Sequence, residues 1–145
     1  MERKRLYSIL AYAGVLPFVA CALLPYLGIV ELRNIGSFEY IAGVYGFGIV
    51  CFLTGVHWGT FLYKSDASPD NLFITSNAVF LAVFFAFLLD AGALTLFVLL
   101  LAFLCLLYID YRLLKAGLLD SDYYRLRVTV TSIAVVSLVA TIATI

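Results

Sequence analysis

The sequence predicts an all-α fold, an integral membrane bundle of five transmembrane helices that forms a single domain over residues 1–145. Hydrophobic residues make up 65% of the chain and charged residues 12%, against about 45–50% and 25% in a soluble domain. The apolar residues fall into five runs, each near the roughly 20 residues that cross a bilayer. The predicted helices cover about residues 6–30, 38–64, 71–89, 93–114 and 124–145.

The positions of the basic residues predict the orientation. With five crossings, Arg33 alone of the nine lysines and arginines falls at one end of the bundle, and the others fall at the opposite end. Positive residues stay on the cytoplasmic side of a membrane. We therefore expect the N-terminus inside and the C-terminus outside, in a bacterial cytoplasmic (inner) membrane.

The first predicted helix follows a basic N-terminal segment and continues to Val30. This apolar run exceeds the roughly 7–15 residues of a secretory signal peptide, which favours a transmembrane helix. Pro17 and Pro25 each remove one backbone donor, so we expect them to bend the helix. Residues 31–37 then form a short polar loop.

The second predicted helix contains the only histidine and the only tryptophan of the chain, His57 and Trp58. At about 100° per residue, Gly48, Gly55 and Gly59 fall on one stripe of this helix. Because glycine lets a neighbouring backbone approach closely, the stripe is predicted to be a helix-packing face. An imidazole at the position of His57 is costly in a membrane unless it has a partner or reaches water. His57 is thus either a satisfied structural histidine or a functional group.

Tight connections and caps define the remaining helices. Asp66 or Ser68 is expected to cap the third helix. The short turn over residues 90–92 predicts that the third and fourth helices are antiparallel neighbours. Asp110 lies near the inner end of the fourth helix, and the polar stretch 115–124 precedes the fifth.

Polar side chains converge on the inner ends of the second, fourth and fifth helices. Arg127 shares a helix face with its neighbours at i−3 and i+4. Asp110 is the expected counter-charge, because an unpaired carboxylate in an apolar helix costs about 3 kcal/mol. An Asp110–Arg127 pair with His57 hydrogen-bonded nearby would satisfy all three groups. The candidate polar cluster consists of His57, Trp58, Asp110, Tyr124, Arg127 and Thr131.

The cluster has three interpretations. It locks three helices together, it forms a proton-accessible or anion-binding inner pocket, or it reflects the chance placement of interfacial residues. Trp58 and Tyr124 also fit the amphipathic aromatic residues expected at a membrane interface.

Several classes of site do not fit the sequence. One histidine cannot provide a bis-histidine haem site, and one histidine with one nearby aspartate gives too few ligands for catalytic zinc. No Walker-type glycine loop, nucleophile elbow or zincin motif occurs, and the three cysteines lie in separate apolar runs. We therefore expect no catalytic residues, no metal and no cofactor. The zero net charge points to no nucleic-acid partner.

Three segments together resemble the transmembrane-protein-69-like family of bacterial and mitochondrial-type membrane proteins. They are residues 14–18 (GVLPF), 52–59 (FLTGVHWG) and 126–131 (LRVTVT). The resemblance spans nearly the whole chain, including Asp110, and implies a five-helix membrane protein without naming a reaction. The family tends to have proline and tryptophan before the tyrosine that precedes its Leu-Arg pair, where this chain has SDYY at residues 121–124.

The sequence predicts a non-enzymatic accessory or scaffold protein that contacts the lipid bilayer and either another membrane protein or a second copy of itself. One alternative is a small proton or solute channel or transporter centred on His57, since histidine titrates near neutral pH. Another is an enzyme acting on a lipid or quinone headgroup. In that enzyme His57 would be the acid or base and Arg127 would hold an anionic group.

Overall fold

A computed structural model describes the backbone of residues 2–145 and the side chains from Lys4 onward. It confirms the predicted fold class: the described residues form five helices long and apolar enough to cross a membrane. These helices are α1 (Glu2–Leu23), α2 (Phe38–Lys64), α3 (Leu72–Leu89), α4 (Ala93–Lys115) and α5 (Ser121–Ile142). A two-stranded antiparallel hairpin, β1 (Glu31–Leu32) and β2 (Gly36–Ser37), connects α1 to α2.

The first helix ends earlier than the predicted residue 30. Pro17 is accommodated inside α1, but Pro25 lies in the first turn of a tighter 3-10 segment, Leu24–Leu27. Gly28 then takes the left-handed conformation, with φ of 83°, which a residue with a side chain rarely adopts. Proline and glycine together stop the helix, and the predicted polar loop contains the β1–β2 hairpin.

Helix caps also differ from the prediction. Asn71 caps α3, since its side chain accepts hydrogen bonds from the backbone N–H of Phe73 at 3.1 Å and of Ile74 at 3.3 Å. The predicted caps, Asp66 and Ser68, are wrong because they lie within and after a short 3-10 turn, Ser65–Ala67. Asp120 caps α5, so this helix begins three residues before the predicted residue 124.

The helices form one bundle in which α4 packs against α2, α3 and α5. Helix α1 lies beside α5, and α2 lies beside α3. The larger core contains side chains with no exposed surface, among them Val50, Leu96 and Leu138. A smaller core of Leu72, Ile109 and Leu113 lies toward one end of the bundle.

We call the end of the bundle that contains this smaller core the basic end. Helices α1, α3 and α5 begin there, and α2 and α4 end there. Ion pairs join different segments of the chain there. Nζ of Lys4 lies 2.8 Å from Oδ2 of Asp122, and Nη1 of Arg112 lies 2.8 Å from Oδ1 of Asp70. The hairpin and Arg33 lie at the opposite end.

The predicted packing of Gly48, Gly55 and Gly59 is wrong for the helices of this chain. A Cβ placed on any of the three meets no heavy atom of another described residue within 4 Å. The glycines that receive neighbouring helices are Gly43 and Gly46: a Cβ on Gly46 would lie 2.6 Å from Cδ1 of Leu99. The predicted stripe lies roughly 180–220° around α2 from Gly46, on the side that faces away from the bundle.

Candidate functional site

Asp110 on α4 is the centre of a buried cluster that joins three helices. Its Oδ1 lies 2.9 Å from Nε2 of His57 on α2. Its Oδ2 accepts a hydrogen bond from Nε of Arg127 on α5, also at 2.9 Å. The side chains of His57, Asp110 and Arg127 are 4%, 6% and 9% exposed. Both carboxylate oxygens are therefore bonded in a buried position.

Helical periodicity turns each of these side chains inward. Leu106 and Leu113, four residues before and three after Asp110, are both buried. Val130 and Thr131, three and four residues after Arg127, are buried as well. Residues at these spacings share a helix face, so the faces that form the core also carry the two charges.

Opposite charges meet in the cluster. Asp110 and Arg127 form a charge-assisted pair at a length typical of such bonds. The Nε2–H of His57 donates to Oδ1 of Asp110, and this hydrogen position is assigned from the bond itself. The charges of Asp110 and Arg127 cancel each other, which suits their position in an apolar bundle.

Three polar atoms at the site have no hydrogen-bond partner among the described residues. They are Nδ1 of His57, Nη2 of Arg127 and Oγ1 of Thr131. Arg127 and Thr131 are also part of the wall of a cavity of about 310 Å³. Since buried polar groups are nearly always paired, these atoms mark where the site could bind something more.

Trp58 and Tyr124 make no hydrogen bond to the cluster within the described part of the chain. Trp58 is 42% exposed, and its ring centroid lies 4.5 Å from that of Phe73 on α3. The ring of Tyr124 lies 6.1 Å from that of Tyr111. Of the six predicted residues, the structure thus brings His57, Asp110, Arg127 and Thr131 to the buried faces.

Tyr123 belongs to the site, although the predicted member was its neighbour Tyr124. Tyr123 lines the same cavity as Arg127, and its ring meets that of Tyr7 on α1 edge to face at 5.9 Å. Tyr123 precedes Arg127 by four residues, whereas Tyr124 precedes it by three. Both spacings place residues on one face, so the spacing alone allowed either tyrosine.

The site offers hydrogen-bonding groups rather than a set of metal ligands. Within residues 2–145, no group of three or more His, Cys, Asp or Glu side chains is placed to hold a metal ion. Nη2 of Arg127 is a donor, and the hydroxyl of Thr131 both donates and accepts. Nδ1 of His57 is an acceptor when the ring carries its hydrogen on Nε2 alone.

Comparison with known proteins gives a family but no activity. A family model described as a protein of unknown function, DUF3429, matches residues 3–143. A search of curated proteins and a search of solved structures each gave no significant match. The finer resemblance to the transmembrane-protein-69-like family is not tested by this match and stays a prediction.

Proposed function

The chain belongs to the DUF3429 family of proteins of unknown function, and we propose that it is a non-enzymatic accessory or scaffold protein of the membrane. Such a protein acts through contacts with lipids and with another membrane protein or a second copy of itself. Its buried cluster fixes the arrangement of α2, α4 and α5. The observation that supports this proposal best is that both carboxylate oxygens of Asp110 are bonded, one to His57 and the other to Arg127.

A carboxylate bonded in this way is suited to structure more than to chemistry. To pass on a proton or to bind a substrate, Asp110 would have to release His57 or Arg127. Removing one partner of a buried ion pair costs about 3–5 kcal/mol, because the other charge is left uncompensated. The geometry therefore favours a fixed connection between helices.

The proposal includes an orientation and a location. We place the basic end of the bundle in the cytoplasm and the C-terminus outside, in a bacterial cytoplasmic membrane. The support is the distribution of basic residues, of which Arg33 alone lies at the opposite end. The cluster would then lie in the cytoplasmic half of the bilayer.

A proton pathway is the second candidate, and one observation favours it. The Nδ1 atom of His57 has no partner among the described residues, and histidine changes its charge near neutral pH. A water chain reaching Nδ1 would give this atom a proton to exchange. The enzyme alternative differs from the proton pathway, since it requires a substrate headgroup beside Arg127.

Reconstitution into liposomes separates the two candidates. Vesicles with an entrapped pH-sensitive dye are given a proton gradient, with and without the protein. The scaffold proposal predicts the leak rate of protein-free vesicles for both the wild type and His57→Gln. A faster leak in the wild type that His57→Gln abolishes would contradict the scaffold and support the pathway.

Extraction from native membranes in a mild detergent tests the accessory role itself. Native mass spectrometry should find the chain together with a second copy or a second protein at a fixed ratio. A chain that is extracted only as a lone monomer, under conditions that preserve known membrane complexes, would contradict the proposal.

A further inference from the structure

A mostly apolar cavity of about 310 Å³ lies beside the buried cluster, between α1, α2 and α5. Its wall includes Gly14 and Phe18 of α1, Ile49 of α2 and Val130 of α5. Pockets for small molecules span about 300–1,000 Å³. A cavity at the low end of this range holds part of one hydrocarbon chain and is too small for a whole two-chain lipid.

The cavity is accessible from the side of the bundle. Leu10 of α1 and Phe52 of α2 belong to its wall, yet these residues are 62% and 68% exposed. In a membrane, side chains exposed on the outside of a helical bundle at this depth meet acyl chains. A hydrocarbon chain can therefore enter between α1 and α2 without crossing a polar layer.

The polar side of the cavity carries two donors without acceptors. The Arg127 side chain is more than nine-tenths buried, and Thr131 is 3% exposed. Among the described residues, neither Nη2 of Arg127 nor Oγ1 of Thr131 has a partner. A buried donor without a partner is costly. Each of these atoms has less than 1 Å² of accessible surface, so an oxygen acceptor from a molecule in the cavity would satisfy both once a neighbouring side chain moves aside.

Charge and depth define that oxygen further. Asp110 already neutralises Arg127, so the acceptor needs no negative charge and a carbonyl suffices. Arg127 lies six residues inside the start of α5 at Ser121, about 9 Å along the helix. The polar layer of a bilayer is about 5–8 Å thick on each side. If α5 begins at the outer edge of that layer, this depth is close to that of lipid ester groups.

We infer that this cavity binds one acyl chain of a membrane lipid, whose ester carbonyl accepts hydrogen bonds from Nη2 of Arg127 and from the hydroxyl of Thr131. The Tyr7–Tyr123 pair, which also belongs to the cavity wall, borders the site toward the basic end. This lipid site is independent of whether the scaffold or the proton pathway describes the function.

Photo-crosslinking tests the position of the chain. The full protein is reconstituted into vesicles that contain a phospholipid with a diazirine in one acyl chain, and adducts are mapped by mass spectrometry. Adducts should concentrate on residues of the cavity wall, such as Ile49 and Val130. Adducts spread evenly over the outward faces of all five helices would overturn the inference.

Two phenylalanine variants make this test specific. Ala11→Phe fills the cavity, since Ala11 belongs to its wall, and should lower the yield of cavity adducts several-fold. Ala82→Phe is the matched control, because Ala82 is exposed on α3 and outside the cavity wall. Equal yields in wild type, Ala11→Phe and Ala82→Phe would contradict the proposal.

Thr131→Val tests the hydrogen bond without filling the cavity, and it remains informative if Ala11→Phe fails to fold. The delipidated variant should melt at the same or a higher temperature than the wild type, because an unpaired hydroxyl has been removed. Its affinity for the phospholipid should fall about fivefold, the value of one net hydrogen bond. Unchanged phospholipid affinity would overturn the role of Thr131.

A short-chain quinone that displaces the adducts where excess phospholipid does not would identify a quinone as the occupant and overturn the lipid assignment.

Discussion

Asp110 on α4 and Arg127 on α5 form a buried ion pair at 2.9 Å. The two residues lie at matched depths on either side of the α4–α5 turn. Asp110 is five residues before the end of α4 at Lys115, and Arg127 is six residues after the start of α5 at Ser121. The antiparallel arrangement of the two helices therefore brings the opposite charges together.

Two replacements of His57 should distinguish the contribution of its hydrogen bond to stability from the contribution of its side-chain volume. His57→Leu leaves Oδ1 of Asp110 buried without its donor, which should lower the free energy of unfolding by about 1–3 kcal/mol. His57→Gln keeps an N–H donor and should cost less. Thermal melting in detergent measures both variants. Equal losses would show that the shape of the ring matters and the hydrogen bond to Asp110 does not.

Glycines on opposite faces of α2 should respond differently to added bulk. Gly46→Leu forces a side chain into Leu99 of α4, and overpacking of this kind costs about 1–3 kcal/mol or more. Gly55→Leu adds its side chain to an outward face with no close neighbour, so the melting temperature should stay unchanged. A drop for Gly55→Leu as large as that for Gly46→Leu would show that this face is packed after all.

Asp90, in the turn between the membrane-spanning segments of α3 and α4, should make stability depend on pH in the acid range. Its carboxylate accepts hydrogen bonds from the backbone N–H of Leu94 and of Gly92, each at 2.9 Å. These bonds hold the pKa of Asp90 below its ordinary value. A carboxyl group whose pKa is lower in the folded state stabilises the protein above the unfolded pKa, about 3.9, and loses this contribution as pH falls through the folded pKa.

Asp90→Asn is the matched variant, since it keeps an oxygen acceptor but does not titrate. Between about pH 5 and pH 3, spanning that unfolded value, the melting temperature of the wild type should fall more steeply than that of Asp90→Asn. Parallel pH profiles would mean that the Asp90 cap contributes no proton-linked stability.

Reporter fusions test the proposed topology. A reporter that is active only outside the cytoplasm should be active when fused after Ile145, and a cytoplasmic reporter should be active when fused before Met1. The opposite pair of activities would reverse the orientation. The cluster would then lie in the outer half of the bilayer.

The fold was predictable because each long apolar run in this chain has the length of a membrane span. The ends of the helices were less predictable, since they depend on local backbone geometry. Pro25 and Gly28 stop α1 several residues before its apolar run ends, and Asn71 caps α3 because it directly precedes the first turn. Hydropathy indicates neither where α1 ends nor which residue caps α3.

The candidate site, like the fold, was predictable only in part. The pairing of Asp110 with Arg127 could be anticipated, because each charge is costly alone at the same depth. The spacing of Gly48, Gly55 and Gly59 in α2 shows only that the backbone of another helix could approach this stripe. Which stripe faces the bundle depends on the neighbours of α2, and Gly43 and Gly46 lie on that side. The cavity arises from the gap between helices distant in sequence, so no motif signals it.

A double-mutant cycle on Asp110 and Arg127 tests most directly whether the buried cluster is a lock between helices. Asp110→Leu and Arg127→Leu should each lower the free energy of unfolding by about 3–5 kcal/mol, because each leaves a buried charge without its partner. The double variant should lose clearly less than the sum, with a coupling of about 1–3 kcal/mol. The exposed pair of Lys4 and Asp122 is the control and should show little coupling. Strictly additive losses for Asp110 and Arg127 would contradict the lock.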